Sequence, residues 1–301
     1  MRELVVLGTS GQVPTRRRNL NGYLLRWDDE GLLFDPGEGT QRQMLLAGVR
    51  SSSITKILLT HFHGDHCMGL PGVVQRLTLD DVARPVAVYY PAGGQDYLDH
   101  LIRSSIHHAG AMLKFYPVQA PAVLETTPSF VLSAMPLDHR VEAIGYRLEQ
   151  PPVRHMLADR LDELGIAGSD VGALKRRGSI AAAGRQVMLD EVTEVRAGQK
   201  FAFVMDTRLC DAAFDLARDA DMLLCESTYL STEQELANQY GHMTAADAAR
   251  VASEVNVRLL VLTHFSQRYD DTDSLLAEAR AVFPNTVAAK DLTTIALPPR
   301  R

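Results

Sequence analysis

Cysteine is scarce: Cys67, Cys210 and Cys225 are the only three in 301 residues, far apart and without a CxxC pair. That excludes a disulfide scaffold and points to a reducing compartment, with the cytoplasm as the expected location. No run approaches the roughly 18 consecutive apolar residues of a membrane span. The apolar stretch Leu4 to Leu7 that follows Met1-Arg2-Glu3 is too short for a signal peptide. Aromatic residues make up 6%, with one tryptophan, Trp27. Neither it nor the tyrosines form the stacking platform of single-strand binders, so base stacking is not expected as the main recognition mode. Basic residues are not in excess either: Lys plus Arg is 31 against 37 acidic residues, a formal charge of −6. A globally basic nucleic-acid coat protein is excluded, whereas local basic patches remain open. What is there is ordinary for a globular chain, 46% hydrophobic and 23% charged. The length predicts about two domains or one large α/β domain.

Short apolar runs alternate with helical patterns. Strands are expected at 3–7, 21–27, 31–35, 54–60, 86–90, 129–135, 143–149, 200–205, 222–226, 258–263 and 286–297. Helices are expected at 38–48, 66–79, 94–106, 209–218, 243–255 and 272–283. The late strands alternate with helices and the early ones follow closely on each other, which reads as α/β with a mixed sheet. One echo recurs: Ile57-Leu58-Leu59-Thr60-His61-Phe62 resembles Leu260-Val261-Leu262-Thr263-His264-Phe265. A duplicated half-domain would bring both strand ends to one edge, where functional residues of α/β sheets gather. Residues 151–200 differ from the rest, with eight Lys/Arg, seven Asp/Glu and few apolar runs. They read either as a poorly packed insertion loop or as a projecting arm that touches a substrate.

The densest chemistry is Thr60-His61-Phe62-His63-Gly64-Asp65-His66, four metal-capable side chains within six residues after an apolar strand. His61 and His63 are two apart, so an extended chain points both to one side. Gly64 lets the backbone turn before Asp65 and His66. The first pair can feed one metal and the second pair another close by, and imidazole with carboxylate suits zinc best.

This HxHxDH run resembles the signature of the metallo-β-lactamase superfamily, which implies a four-layer αββα sandwich. The resemblance also implies ligands at later strand ends, and His139, Asp206 and His264 stand in the expected order. Further segments resemble the tRNase Z family, in its short bacterial form. They are Gly8-Thr9-Ser10, Pro14-Thr15-Arg16-Arg17-Arg18-Asn19, Phe34-Asp35-Pro36-Gly37-Glu38-Gly39-Thr40-Gln41, Met68-Gly69-Leu70-Pro71-Gly72 and Gly241-His242-Met243-Thr244-Ala245. The likeness runs across essentially the whole chain. It implies a single metallo-β-lactamase-type domain over 1–301 with residues 151–200 as an inserted substrate-binding arm.

By this resemblance the chain is a zinc-dependent endoribonuclease that removes the 3′ trailer of precursor tRNA. The products are a tRNA 3′-hydroxyl and a trailer 5′-phosphate. One zinc is expected on His61, His63 and His139, the other on Asp65, His66 and His264, with Asp206 bridging. Asp65 is the expected proton acceptor for the nucleophilic water. His242, oriented by Asp211, is the expected donor to the leaving ribose oxygen. Arg16, Arg17 and Arg18, with Lys175, Arg176 and Arg177 near the arm's tip, are expected to contact the RNA. A homodimer is implied, and neither a membrane nor DNA is expected as partner. Three positions depart from the family pattern. Ala167-Gly168-Ser169-Asp170 follows Leu164-Gly165-Ile166 where the arm usually has Gly-Pro, Asp211 stands for the usual Glu, and Met205 for a usual glycine.

Residues read singly carry alternatives. Asp35 is either a turn residue before Pro36 or a partner that orients a ligand histidine. His107-His108 reads as solvated surface at a helix end. For the whole chain, the alternative is a small-molecule phosphodiesterase or arylsulfatase of the same superfamily. A catalytically silent RNA-binding protein is a third reading, disfavoured because binding alone needs no set of seven metal ligands.

Overall fold

The computed structural model describes residues 2–106 and 112–300; His107-His108 lies outside them. Two seven-stranded mixed sheets stack face to face. From edge to edge the first runs Thr294–Ala296, Arg2–Gly8, Gly22–Trp27, Glu30–Phe34, Lys56–Leu58, Val86–Pro91 and Leu113–Val118. The second runs Thr286–Ala288, Leu260–Thr263, Met222–Glu226, Lys200–Val204, Ala143–Glu149, Val131–Leu137 and Ala122–Thr126.

The strands read as continuous apolar runs because both faces are covered. In Arg2–Gly8, Leu4 and Val6 face the second sheet and pack with Phe34, Tyr146, Phe201 and Phe203. Val5 and Leu7 face outward, toward Leu70, Val73 and Leu77 of the helix Leu70–Leu79. On the far side Ala202, Val204, Leu223 and Leu262 pack against Leu216, Ala248, Val251 and Leu275 of the helices Asp211–Ala217, Ala245–Glu254 and Asp273–Val282. Helix, sheet, sheet, helix is thus the layer order, the αββα sandwich that the motif implied. Each fully buried Leu or Phe contributes about 1.5–3 kcal/mol to holding the layers together. Among the described residues no helix is long and apolar enough to cross a membrane.

Several expected elements differ. The run 286–297 is two strands, not one: Thr286–Ala288 edges the second sheet and Thr294–Ala296 edges the first. The chain turns between the sheets at Asp291, whose carboxylate accepts the Asn19 N–H (2.6 Å) and the Thr9 hydroxyl (2.7 Å). The helix expected at 66–79 is broken into Gly64–Cys67 and Leu70–Leu79. At Gly69 a Cβ would lie 1.9 Å from the Gly37 carbonyl, so the break lets two loops touch. Strands Leu113–Val118 and Ala122–Thr126 and helix Gln234–Tyr240 lack a clear apolar period and escaped the sequence reading.

Residues 151–200 are packed, which overturns the loose-loop alternative. Val153–Met156 pairs with Thr193–Arg196, and Ser179–Ala182 with Arg185–Met188. Helices Ala158–Glu163 and Ser169–Arg177 join them around a small core of Leu161, Ile166, Leu174, Val187 and Val192. Gly165 and Gly168, at φ 64° and 57°, turn the chain between the helices where the Gly-Pro element is missing. At the base of the segment Arg2 donates to Gln150 Oε1 (2.8 Å) and Gln199 Oε1 (3.2 Å).

Candidate metal centre

Sheet direction assembles the site. Lys200–Val204, Met222–Glu226 and Leu260–Thr263 are parallel neighbours, so Asp206, Glu226 and His264 emerge at one edge. Val131–Leu137 runs the same way, being antiparallel to Ala143–Glu149, itself antiparallel to Lys200–Val204, and delivers His139. In the facing sheet Glu30–Phe34 and Lys56–Leu58 are parallel and end at Asp35 and at Thr60-His61. The two Thr-His-Phe echoes therefore meet across the sandwich, one from each sheet.

Among the described residues three overlapping donor groups form, one of them Asp206 with His242 and His264. The ligand atoms of His61, His63, His139 and Asp206 lie within 4.8 Å of one another, as do those of Asp65, His66 and His264. His63 Nδ1 is 3.0 Å from His61 Nε2 and 3.3 Å from His139 Nε2. Asp206 joins the groups, with Oδ2 3.5 Å from His61 Nε2 and 3.3 Å from His66 Nε2, and Oδ1 3.2 Å from His264 Nε2. Asp65 Oδ2 lies 3.3 Å from His66 Nε2 and 3.5 Å from His264 Nε2, and accepts the Gln12 N–H at 2.7 Å.

The tautomers decide what this arrangement holds. His139 Nδ1–H donates to the Gly241 carbonyl (2.8 Å) and His66 Nδ1–H to Asp35 (2.9 Å). Thr60 gives its proton to Asp35, so its oxygen accepts from His61 Nδ1 at 3.0 Å. Thr228 gives its proton to Glu226 and accepts from His264 Nδ1 at 2.8 Å. Each of these four rings thus turns its Nε2 inward, where His66 Nε2 lies 3.3 Å from Asn21 Nδ2 and the His61 and His139 nitrogens share His63 Nδ1. Asp206 Oδ1 and His264 Nε2 are buried without any hydrogen-bond partner. A divalent cation would satisfy the two orphaned atoms, and the His/Asp donors are those of a divalent metal centre with its outer supports in place. Asp35 (φ 42°), Asp206 (φ 51°) and His264 (φ 58°) all hold left-handed backbone, strain that the surrounding hydrogen bonds overcome.

His242 is buried, and its ring lies 5.2 Å from those of both His139 and His264. The expected support from Asp211 is corrected. Asp211 is exposed at the start of the helix Asp211–Ala217, because it begins a solvent-facing turn. Glu226 holds His242 instead, accepting its Nδ1–H at 3.0 Å. Glu226 is fully buried and also accepts the Thr207 N–H (2.7 Å) and the Thr228 hydroxyl (2.6 Å). Burial depresses the imidazole, but the Glu226 charge and hydrogen bond outweigh it and lift His242 to about 9. The sequence signal for Glu226 existed: a carboxylate closing the apolar strand Met222–Glu226 beside two other strand-end ligands.

The basic residues divide. Arg16 and Arg17 are exposed and border a cavity shared with Gln267 and Asp270. Arg18 differs: it also lines that cavity but is largely buried, and its guanidinium donates to the carbonyls of Ser266 (3.2 Å) and Tyr269 (2.7 Å), so it serves the loop's structure more than an RNA contact. Lys175, Arg176 and Arg177 are exposed in the last turn of the helix Ser169–Arg177. A cleft of about 460 Å³ opens over the centre, lined by His63, Asp65, His139, Asp206 and His242 with Tyr240 and Arg140 at its border.

The comparisons with known proteins agree with this geometry. The metallo-beta-lactamase superfamily model matches residues 15–145, and the beta-lactamase superfamily domain model matches 188–265. Ribonuclease Z of Nocardia farcinica (strain IFM 10152) is 56% identical over 302 residues, spanning 100% of this chain and 99% of that protein. Ribonuclease Z of Chlamydia pneumoniae is 43% identical, spanning 99% and 97%. The crystal structure of human tRNase Z, short form, superposes with a TM-score of 0.72 at 25% identity, over 99% of this chain and 100% of that one. A full-length likeness of this degree, on a sandwich whose strand ends gather this donor set, places the chain in the ribonuclease Z family of the metallo-β-lactamase superfamily.

Proposed function

We infer that the chain is a metal-dependent phosphodiester hydrolase, an endoribonuclease that processes the 3′ end of precursor tRNA. The observation that carries this reading is the identity with ribonuclease Z relatives over the full length, joined to the converging donor set. We assign two zinc ions, one to His61, His63, His139 and Asp206, the other to Asp65, His66, His264 and Asp206. Their chemistry when bound is to make water in the cleft acidic and to stabilise charge on phosphate oxygens.

The chain's own residues do the rest. Asp65, in the wall of the cleft and fixed by the Gln12 N–H, accepts the proton of the attacking water. The oxygen of that water adds to phosphorus as the bond to the ribose 3′-oxygen breaks. His242 carries its proton toward that oxygen on Nε2, since Nδ1 is committed to Glu226. The carboxylate of Glu226 keeps the ring protonated until transfer and fixes its orientation. The products are a tRNA ending in a 3′-hydroxyl and a trailer with a 5′-phosphate. Arg16, Arg17, Lys175, Arg176 and Arg177 are assigned to the RNA backbone, an arrangement that tolerates a net charge of −6 because only local charge meets phosphate.

We also propose a homodimer and a cytoplasmic site of action. Leu45 (73% exposed), Leu46 (50%) and Leu79 (76%) lie on the neighbouring helices Thr40–Leu46 and Leu70–Leu79, an apolar face that supports self-association. Its test is a solution mass twice the 33.2 kDa of one chain. The three cysteines are free thiols, which supports a reducing compartment. The central assay offers precursor tRNA beside a chromogenic phosphodiester. Cleavage at the 3′ side of the tRNA is expected; hydrolysis of the small ester alone would favour the small-molecule alternative.

A further inference from the structure

We propose that a cavity beside His63 holds the nucleobase of the first trailer nucleotide, the one whose 5′-oxygen carries the scissile phosphate. The proposal rests on the tRNA 3′-endonuclease reading. The cavity measures about 330 Å³, within the range of small-ligand sites, and is lined by Phe62, His63, Gly94, Tyr97, Val141 and Glu142. It shares His63 and Val141 with the metal cleft, so it continues the path of a bound strand.

Its walls suit a base better than a phosphate. The Phe62 and Tyr97 rings stack on each other at 5.9 Å with 29° between planes, and Tyr97 is 62% exposed. Two adjacent glycines keep the wall thin. A Cβ at Gly94 would stand 2.0 Å from the Phe62 ring, and one at Gly93 2.3 Å from Glu142 Oε2. Glu142 is exposed and accepts the Gly93 N–H at 2.8 Å. A carboxylate at the rim repels a backbone phosphate but can accept from the amino group of a neutral base.

The order of residues chooses the side of the scissile bond. The His139 ring is in contact with His242 (5.2 Å) on one hand and His63 (5.1 Å) on the other. The leaving 3′-oxygen belongs to the tRNA and sits at His242. The trailer, which stays on phosphorus, then leaves by the His63 end, where the Phe62–Tyr97 cavity receives its first base.

The test uses the full-length metal-loaded enzyme and a precursor tRNA whose first trailer nucleotide is normal or abasic, with kcat/KM and metal content measured for wild type, Tyr97→Ala and Tyr97→Phe. The abasic substrate is expected to cost the wild type about tenfold, within the range for one base–aromatic stack. Tyr97→Ala is expected to lose about as much on the normal substrate, with metal content intact, and to lose little more on the abasic one. Tyr97→Phe restores the wild-type response because it keeps the ring. Additive losses, or no loss from either change, overturn the proposal. Coupling that appears only when the last tRNA nucleotide is made abasic overturns it too, by assigning the cavity to the other side. Wild-type enzyme that fails on the normal precursor would instead overturn the endonuclease reading.

Discussion

The role of His242 is open to a sharp test by changing the leaving group. A ribose 3′-oxygen is a poor leaving group and needs a proton, whereas a nitrophenolate needs almost none. Loss of a positioned general acid costs about 10²–10⁴ in rate, or about 3–5 kcal/mol in the barrier. His242→Ala is therefore expected to lower kcat on precursor tRNA by about that factor. Its rate on a nitrophenyl phosphodiester should stay within about threefold, because the step it assists is absent there. The structure adds a complication. Removing the imidazole strips the buried Glu226 of one of three donors and leaves its charge near Asp206. An uncompensated buried charge costs about 3–5 kcal/mol of stability. The double variant His242→Ala/Glu226→Gln removes that charge, its amide oxygen still accepting the Thr207 N–H while its NH2 donates to the Thr228 oxygen in a reversed bond, and should recover part of the melting temperature without recovering tRNA cleavage. Single-turnover kinetics on both substrates, with metal content and melting curves for each variant, decide the matter. Equal losses on both substrates at normal metal content would refute the general-acid assignment and make His242 a stabiliser of phosphate charge.

Three further outcomes are expected. His63→Ala should lose metal together with activity, since His63 Nδ1 faces both His61 and His139; full occupancy by elemental analysis would contradict the ligand set. Replacing residues 155–194 with an Asn-Gly turn should abolish cleavage of precursor tRNA but spare a small phosphodiester, the turn being tolerated because Arg154 pairs with Val195 and Val153 with Arg196 on either side of it. Equal loss of both activities at normal metal content would make the segment structural. Arg16→Ala/Arg17→Ala should weaken tRNA binding and reduce its salt slope by about 2. Arg18→Ala should instead destabilise the fold by about 1.5–3 kcal/mol, through lost charge-assisted bonds to Ser266 and Tyr269, without changing that slope. A salt slope reduced as much by Arg18→Ala would reverse the division.

The HxHxDH part of the candidate donor set was legible because its signal is local. HxHxDH directly follows an apolar strand, whereas His139, Asp206 and His264, at the ends of later strands, were picked out by the family resemblance. The layers were legible for the same reason: strands buried on both faces spell themselves as unbroken apolar runs. What connects the ligands to their supports was not legible, since it depends on register between distant strands. Glu226 rather than Asp211 holds His242 because Met222–Glu226 lies parallel between the strands that end near Asp206 and His264. Asp35, evenly balanced as a lone residue, orients His66 because Glu30–Phe34 pairs in parallel with Lys56–Leu58. Arg16, Arg17 and Arg18 are identical in sequence and separable only by where the chain turns Arg18 inward. Phe62 and Tyr97 are 35 positions apart and meet only when the loop at Gly93-Gly94 comes up against the metal loop. Chemistry carried within one short segment can be read along the chain, whereas partnership across sheets is decided by strand order and burial, which exist only in the folded molecule.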